Sequence, residues 1–312
     1  MRKASLLVAC AAAWLGWTQA ARAQIQLIIP WPAGGGTDII GRLIQPVFSE
    51  ELGGQLVIRN VGGATGTIGT AEVARSKPDG TTLLLTSMAA IAIQPSFRAN
   101  APYRAEHLTP ICLVAEAPAT LMTPKETGIR TIADIQARAR AQPGQLPYAS
   151  GGVGGLGHLA MTGLLRALGV EMNHIPFRGS GDSVMAMQSG TVLMLAAEAN
   201  LVQQYGLHAI AVFAEKRSPD MPGTPTMREQ GHDLVYPLWT GIFAPAGTPD
   251  AALARLDTAC ARTLQTPSVI EGMTRAAHPI RYMDRHAFGA YVRAEVEKYA
   301  ELIRASGLRQ AD

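Results

Sequence analysis

Short apolar runs alternate with helical patterns along the first hundred residues. The run from Gln26 to Pro30 is short and is followed by a turn, which is typical of a buried strand. Apolar residues between 39 and 47 then recur at the spacing of one helix face. The order is repeated, with predicted strands at residues 56–58 and 81–86 and a predicted helix at 71–75. This alternation predicts an α/β domain with a mostly parallel sheet.

A second alternating unit follows an extended segment. Predicted strands lie at residues 111–114, 119–122, 146–150, 172–177, 192–196, 208–213 and 239–244, and predicted helices at 132–141, 158–168 and 183–188. After Pro249 the pattern predicts helix to the end of the chain, at 251–264, 267–276 and 285–304. We therefore expect two α/β units, with crossovers near 115–119 and 236–239 that form a hinge over a cleft.

The N-terminus has the pattern of an export signal. Arg2 and Lys3 precede an apolar run from Leu6 to Trp17, and Ala21-Arg22-Ala23 then offers a cleavage site. The sequence predicts a cleavable signal peptide over residues 1–23 and export to the periplasm. An uncleaved membrane anchor and a lipoprotein box ending at Cys10 stay open as alternatives.

Composition then narrows the class of protein. Of 312 residues, 47% are hydrophobic and 16% are charged, which excludes a largely disordered chain. Loss of the signal peptide takes three of the 27 basic residues and leaves 24, equal to the 24 acidic residues. No basic stripe is visible, so we expect no nucleic-acid partner. Cys112 and Cys260 are able to pair in an exported protein, but their apolar surroundings favour two buried free thiols.

Three glycine-rich turns each lie between a predicted strand and a predicted helix, at residues 33–38, 62–69 and 151–157. A helix N-terminus presents free amides and the positive end of the helix dipole. Glycine lets a ligand approach that backbone closely, so such turns can bind a carboxylate or a phosphate. The alternative is a tight turn without a ligand; three such turns in one chain favour binding at two of them or more.

Signatures of catalysis and cofactor binding are weak. Residues 152–157 match G-x-G-x-x-G, but Phe177-Arg178 stands where an NAD site places an acidic residue, and export argues against a soluble nicotinamide cofactor. The seven histidines show no metal-ligand spacing, and no G-x-S-x-G or H-E-x-x-H motif is present. We therefore expect that the protein is not an enzyme and has no catalytic residue, cofactor or metal.

Three single residues keep two interpretations each. Asp38 either caps its helix or holds a bound water or a ligand amine. His158 either forms a hydrogen bond with a backbone carbonyl or contacts a ligand. Arg178 is either a solvated charge or a clamp for a carboxylate at the rim of the cleft.

Six segments, taken together and in order, resemble one family. They read IIPWPAGGGTDIIGRL, NVGGATGTIGTAEVARSKPDGTTLLL, YASGGVGGLGHLA, HIPFRGSGDS, TPTMREQG and WTGIFAPAGTP, and the resemblance runs from Leu27 to about Ala305. This is the family of periplasmic substrate-binding proteins of tripartite tricarboxylate transporters, also called the Bug family. The resemblance implies a two-lobed periplasmic binding protein of the type II, Venus-flytrap kind, each lobe a mixed sheet flanked by helices. Lobe 1 would comprise residues 24–117 and 239–312, and lobe 2 residues 118–238.

The resemblance also implies a set of ligand contacts, made largely by backbone amides, hydroxyls and ordered waters. In lobe 1 they fall on Trp31, Ala33, Gly34, Gly35, Thr37, Asp38, Ala64, Thr65, Gly66, Ser87 and Met88. In lobe 2 they fall on Ser150, Gly151, Gly152, Gly155, His158, Arg178, Gly179, Ser180 and Glu198. Within the first loop we expect the free amides at 34–36 to carry the anion.

The chain departs from the family pattern in the third loop. Gly155 and Leu156 stand where relatives commonly carry hydroxyls, and Leu193 replaces a usual acidic residue. With Trp31, Met88 and Phe177 on or beside the other walls, this predicts a ligand with an apolar or aromatic body, unless Leu156 packs into its helix.

The function implied by the resemblance is that of an extracytoplasmic solute receptor. It would bind a small organic carboxylate between its lobes and deliver it to the membrane permease subunits of a tripartite transporter, as a monomer. A ligand-sensing subunit for a membrane signalling receptor is the alternative, and an exported enzyme on the same scaffold is a further one.

Overall fold

Two mixed β-sheets, each flanked by helices, form the protein, which is described by a computed structural model over residues 24–218 and 221–308. The predicted signal peptide lies outside the described residues. The strands are β1 (Gln24–Ile29), β2 (Gln55–Asn60), β3 (Thr82–Ser87), β4 (Leu108–Pro118), β5 (Thr120–Thr123), β6 (Pro147–Ser150), β7 (Asn173–Pro176), β8 (Leu195–Ala197), β9 (His208–Val212), β10 (Pro237–Pro245) and β11 (Ile280–Met283).

The helices fall close to the predicted patterns. They are α1 (Gly36–Glu51), α2 (Thr67–Ala74), α3 (Gln94–Phe97), α4 (Ile132–Ala141), α5 (Leu156–Leu168), α6 (Ser180–Gln188), α7 (Asn200–Gln204), α8 (Asp250–Gln265), α9 (Pro267–Arg275) and α10 (Arg285–Ser306). A π-helical turn, Ala89–Ile93, precedes α3 and was not predicted. Within the described residues, no helix combines the length and apolarity needed to span a bilayer.

The first sheet has six strands in the order β11-β4-β10-β3-β1-β2, and the second has five in the order β7-β6-β8-β5-β9. Parallel pairs form between β1 and both β2 and β3, and between β6 and both β7 and β8. The strands β10 and β5 pair antiparallel with their neighbours, so both sheets are mixed. The α/β class with two mixed sheets, as predicted, is confirmed.

The chain crosses between the two sheets at two neighbouring points. It leaves the first sheet at Pro118 and enters the second at Thr120, and it returns at Pro237. The backbone amide of Ala119 donates to the carbonyl of Tyr236 at 3.1 Å, which ties the two crossings together. The two sheets are thus joined by a pair of adjacent crossings.

The expectation of an all-helical C-terminus is wrong at one place. The strand β11 lies between α9 and α10 and pairs antiparallel with β4, at the edge of the first sheet. Ile280 and Met283 are its pairing residues, and the segment is too short to show a clear alternation of apolar and polar positions. Its position matters because the loop before it approaches α1.

The expectation of two free thiols is also wrong. Cys112 on β4 and Cys260 on α8 form a disulfide whose Cα atoms are 6.7 Å apart. Both residues are buried, as predicted, because α8 packs its apolar face on the first sheet. The apolar runs around the two cysteines therefore predicted their burial correctly, but burial does not prevent two cysteines from forming a disulfide.

Candidate ligand-binding cleft

Asp38 organises the turn between β1 and α1 from inside. Its side chain is only 1% exposed, and its carboxylate accepts hydrogen bonds from the Gly34 amide at 2.8 Å, Arg42 Nε at 2.8 Å and Asn60 Nδ2 at 2.9 Å. Burial alone would raise the pKa of Asp38, but these hydrogen bonds outweigh it and hold the pKa below its ordinary value. The expectation that Asp38 caps its helix is wrong: Gly35 is the N-cap residue of α1, no side-chain cap hydrogen bond forms, and both Asp38 oxygens instead hold the protein donors named above.

The free amides of this turn lie two residues further along than expected. The Gly34 amide donates to Asp38, and the Gly35 amide donates to the carbonyl of Pro32 at 3.3 Å. The amides of residues 36–38, in the first turn of α1, have no acceptor among the described residues. Of the amides expected to be free at 34–36, only that of Gly36 is free, and the free set is 36–38, where the positive end of the helix dipole also lies. That an anion binds there stays a prediction.

The second glycine-rich turn lies against the first. Gly63, Ala64, Thr65 and Gly66 all have positive φ, at 129°, 49°, 55° and 82°. A left-handed conformation at a residue with a Cβ is unfavourable, and such residues concentrate at functional sites. A Cβ at Gly66 would lie 3.1 Å from Cζ2 of Trp31, so the indole ring packs directly on this turn.

Met88, which follows β3, and Leu156, in the third glycine-rich turn, contribute little side-chain surface to the cleft. β3 ends at Ser87, and the Met88 side chain is fully buried in the hydrophobic core. Leu156 is 4% exposed and belongs to the same core. Neither forms an apolar wall, so the prediction of an apolar ligand body loses its main support: Leu156 packs into its helix, as the alternative had it.

Ser150 and His158 hold the glycine-rich loop of the second sheet. Ser150 is fully buried; its Oγ lies 2.7 Å from His174 Nε2 and donates to the Gly152 carbonyl at 3.0 Å. His158 Nδ1 accepts the Gly154 amide at 3.1 Å, and the His158 ring stacks on His174 with 3.9 Å between centroids. Both side chains thus bond the backbone, but the partner of His158 is a backbone amide and not the carbonyl that its structural interpretation expected.

Burial keeps this pair of histidines neutral. It lowers the pKa of His158, and burial together with the neighbouring His158 ring lowers the pKa of His174 to about 4. The loop is thus shaped by uncharged hydrogen bonds at neutral pH. The amides of residues 156–158, in the first turn of α5, have no acceptor among the described residues.

The remaining predicted residues of the second sheet meet at the start of α6. A Cβ at Gly151 would lie 3.2 Å from the Gly179 carbonyl carbon and the Ser180 nitrogen, so these loops are in contact. Ser180 Oγ donates to Glu198 Oε2 at 2.7 Å. Arg178 is exposed and has no ion-pair partner among the described residues. Its two interpretations both stay predictions.

Loops of the two sheets contact each other across the cleft. Thr65 Oγ1 donates to the Val153 carbonyl at 3.4 Å, and Gln94 Nε2 donates to the Gly154 carbonyl at 3.0 Å. Glu198 of the second sheet's lobe also comes close to α1, where a Cβ on Gly36 would lie 4.0 Å from Glu198 Oε1. The structure therefore brings together the loops of both sheets that the sequence selected.

This geometry has close counterparts among known proteins. The family model described as "Tripartite tricarboxylate transporter family receptor" matches residues 40–308. The chain belongs to this receptor family. BugT from Bordetella pertussis is 30% identical over 293 residues, which cover 91% of this chain and 90% of that protein.

Solved structures of similar receptors share the fold. The periplasmic binding protein BugD is 29% identical, with a TM-score of 0.84 over 92% of this chain and 99% of that one. MatC from Rhodopseudomonas palustris, solved with bound malate, is 27% identical, with a TM-score of 0.83 over 90% of this chain and 98% of that one. The fold is thus the two-lobed fold of periplasmic binding proteins, as the resemblance implied.

One residue of this tripartite tricarboxylate receptor was missed from the sequence. His278 follows α9, and a Cβ on Gly36 would lie 3.2 Å from its Cε1 and 3.7 Å from its Nε2. It is separated from the first turn of α1 by more than two hundred residues, and no motif surrounds it. Nothing local in the sequence could have placed it beside Gly36.

Proposed function

We propose that this chain is a periplasmic solute receptor that binds a small organic carboxylate between its two lobes and delivers it to the permease of a tripartite transporter. The cleft would lie between lobe 1, formed by residues 24–117 and 239–312, and lobe 2, formed by 118–238, with the glycine-rich turns that the sequence selected on its two sides. The signal peptide at residues 1–23 would direct export and be cleaved after Ala23.

The observation that carries this proposal is the set of amides without acceptors at residues 36–38. Amides at a helix N-terminus, inside a cleft, favour a bound anion. The amides of residues 156–158, at the start of α5, form a similar set without acceptors among the described residues of the other sheet's lobe. The malate-bound relative is consistent with a carboxylate as the anion.

Closure of the lobes would couple binding to delivery. The contacts of Thr65 with Val153 and of Gln94 with Gly154 form only when the two sheets approach each other. A ligand that bridges both sides stabilises this closed state by its differential affinity for it. A permease that recognises the closed rim would then accept loaded receptors in preference to empty ones.

A sensing role and an enzymatic role compete with transport. Sensing needs the same binding and closure, so only the partner differs. For catalysis, the contact that most resembles a nucleophile and its base is Ser150 with His174. Ser150 is fully buried and already bonded to Gly152, which does not favour attack on a substrate.

A thermal-shift screen of the mature chain against mono-, di- and aromatic carboxylates tests the binding step. A specific ligand at about 100 times its Kd adds about 2.7 kcal/mol to the free energy of unfolding. Responses to sugars or cations but to no acid would contradict the proposal. Uptake of the identified acid by cells that lack this chain separates transport from sensing. Uptake is lost if the chain is a transport receptor, because only a transport receptor is needed for uptake, and it is kept if the chain is a sensing subunit.

A further inference from the structure

His278 is held in place by an unusual end of helix α9. The amide of His278 donates to the Met273 carbonyl at 2.9 Å, and the amide of Ala277 donates to the Thr274 carbonyl at 3.0 Å. This is a Schellman motif, whose left-handed position is normally glycine, and here Ala277 occupies it with φ of 52°. The fold thus accepts an unfavourable backbone conformation directly before His278.

The imidazole of His278 lacks a partner although it is buried. The residue is 7% exposed, and its Nε2 has no hydrogen bond among the described residues. This nitrogen faces the first turn of α1, where three amides also lack acceptors. Buried polar groups are nearly always paired, so an unpaired one beside unpaired amides points to a missing ligand.

Glu198 faces the same place from the other sheet. Its Oε2 is occupied by Ser180, while its Oε1 is directed toward Gly36 and has no hydrogen bond among the described residues. No lysine or arginine of the described chain forms an ion pair with Glu198. A free carboxylate oxygen repels a second carboxylate and attracts a hydrogen-bond donor.

Both side chains come close to the first turn of α1. A Cβ on Gly36 would lie 3.7 Å from His278 Nε2 and 4.0 Å from Glu198 Oε1. Any ligand at the α1 N-terminus therefore meets both a ring nitrogen that can donate and a carboxylate that only accepts. Because both atoms lie within 4.0 Å of the same Cβ position, one small ligand can reach both of them.

Building on the proposed function, we propose that the ligand is a carboxylic acid with a hydroxyl or ammonium group next to the carboxylate. Its carboxylate binds the amides of residues 36–38 and Nε2 of His278, and its neighbouring donor binds Oε1 of Glu198. Acids without such a donor leave Glu198 unpaired and close to a second negative charge, so they bind less tightly.

Calorimetric titration with matched acids tests this assignment. The probes are succinate, malate and aspartate, and in parallel propionate, lactate and alanine; each series keeps one carbon skeleton and adds a hydroxyl or an ammonium group. In the best-binding series we expect one substituted member to bind at least tenfold tighter than the unsubstituted acid. The member preferred identifies the donor.

Variants assign the two side chains. Glu198→Ala should reduce the preference for the substituted acid to below threefold, and Glu198→Gln should retain it for a hydroxyl but lose it for an ammonium group. His278→Ala should weaken both members of a pair by a similar factor, at least fivefold, and His278→Gln should restore part of the loss. Glu171→Gln, an exposed change away from the cleft, is the matched control.

Two failures are distinguishable. If the wild-type protein binds no acid of either series or of the wider carboxylate screen, the proposed function itself fails. If acids bind but the members of each series differ by less than threefold, or if Glu198→Ala and His278→Ala leave all affinities unchanged, this inference is overturned while the receptor function stands. Circular dichroism and the melting temperature of each variant confirm that it is folded.

Discussion

The backbone amide of Gly34 donates a hydrogen bond to the Asp38 carboxylate at 2.8 Å. This contact closes the first glycine-rich turn on itself and removes Gly34 from the set of amides that a ligand can use. The proposed ligand site therefore begins at Gly36, in the first turn of α1. If a glycine-rich turn is considered only as a source of free amides, this internal acceptor is overlooked, because it lies four residues further along the chain.

Replacement of Asp38 with Ala should destabilise the protein by about 2 kcal/mol, because Asn60 and the Gly34 amide lose their buried acceptor. Urea unfolding at pH 7 measures the change. Glu126→Ala, an exposed change, should stay within about 0.5 kcal/mol of the wild type. An effect of Asp38→Ala no larger than that of the control would contradict the buried network.

The same variant predicts a pH dependence. Since the pKa of Asp38 in the folded protein lies below its ordinary value of 3.8, its ionised form stabilises the fold above that pH. This contribution is lost as the pH falls through the lowered pKa. The difference between wild type and Asp38→Ala should therefore be constant from pH 7 to pH 5 and shrink below about pH 4. A constant difference down to pH 2.5 would exclude this linkage.

Local patterns predicted much of the fold. Residues 132–141 form the predicted helix α4, where Thr131 and Asp134 form a capping box with the Asp134 amide 3.1 Å from Thr131 Oγ1. The three glycine-rich turns connect strand to helix as expected. Such features depend on neighbours within a few positions, and the sequence displays those neighbours directly.

The features that were missed depend on distant parts of the chain. His278 meets Gly36 only because α9 packs on α1, where a Cβ on Gly272 would lie 2.9 Å from Cδ2 of Leu43. Cys112 meets Cys260 across 148 positions. Leu156 is the opposite case: its helical spacing indicated burial, while the family comparison suggested a place in the cleft wall, and the helical spacing was the better guide.

Reduction of the Cys112–Cys260 disulfide should lower the free energy of unfolding by about 3 kcal/mol, because the bond closes a loop of 148 positions in the unfolded chain. Urea unfolding with and without a phosphine reductant measures this. The double variant Cys112→Ala/Cys260→Ala should be insensitive to the reductant. Equal curves for the wild type under both conditions would show that the bond does not form.

The stacked pair His158 and His174 predicts a loss of stability in mild acid. The pKa of His174 is lowered to about 4 from an ordinary 6.5, so the unfolded chain takes up a proton that the folded protein excludes. The contribution of neutral His174 to the free energy of unfolding is fully present above about pH 6.5 and is lost as the pH falls toward 4. The loss is about 2 kcal/mol after allowance for solvent screening of the partly exposed ring. His174→Gln, which does not titrate, should flatten the urea-midpoint profile between pH 6.5 and pH 4. An unchanged profile would contradict the assignment.

Substitution of Gly at Ala277 should stabilise the protein by about 1 kcal/mol. A φ of 52° is unfavourable for an L-residue, and glycine removes this cost. Part of the gain is offset because glycine loses more conformational entropy on folding. The melting temperature measures the gain. Ala276→Gly, one position earlier with φ of −82°, is the matched control and should give no gain. A loss of stability in Ala277→Gly would contradict the left-handed conformation of this residue.

Introduction of a β-branched side chain at Gly36 should block the cleft. A Cβ there would lie 3.2 Å from His278 Cε1, and the additional methyl groups of Val would extend toward His278 and Glu198. Gly36→Val should therefore weaken binding of the identified acid at least tenfold, which is about 1.4 kcal/mol. Gly223→Ala, where a Cβ meets nothing within 4 Å, controls for the loss of a glycine away from the cleft. Calorimetric titration of both folded variants measures the effect. Unchanged affinity in Gly36→Val would mean that the ligand does not bind at the α1 N-terminus.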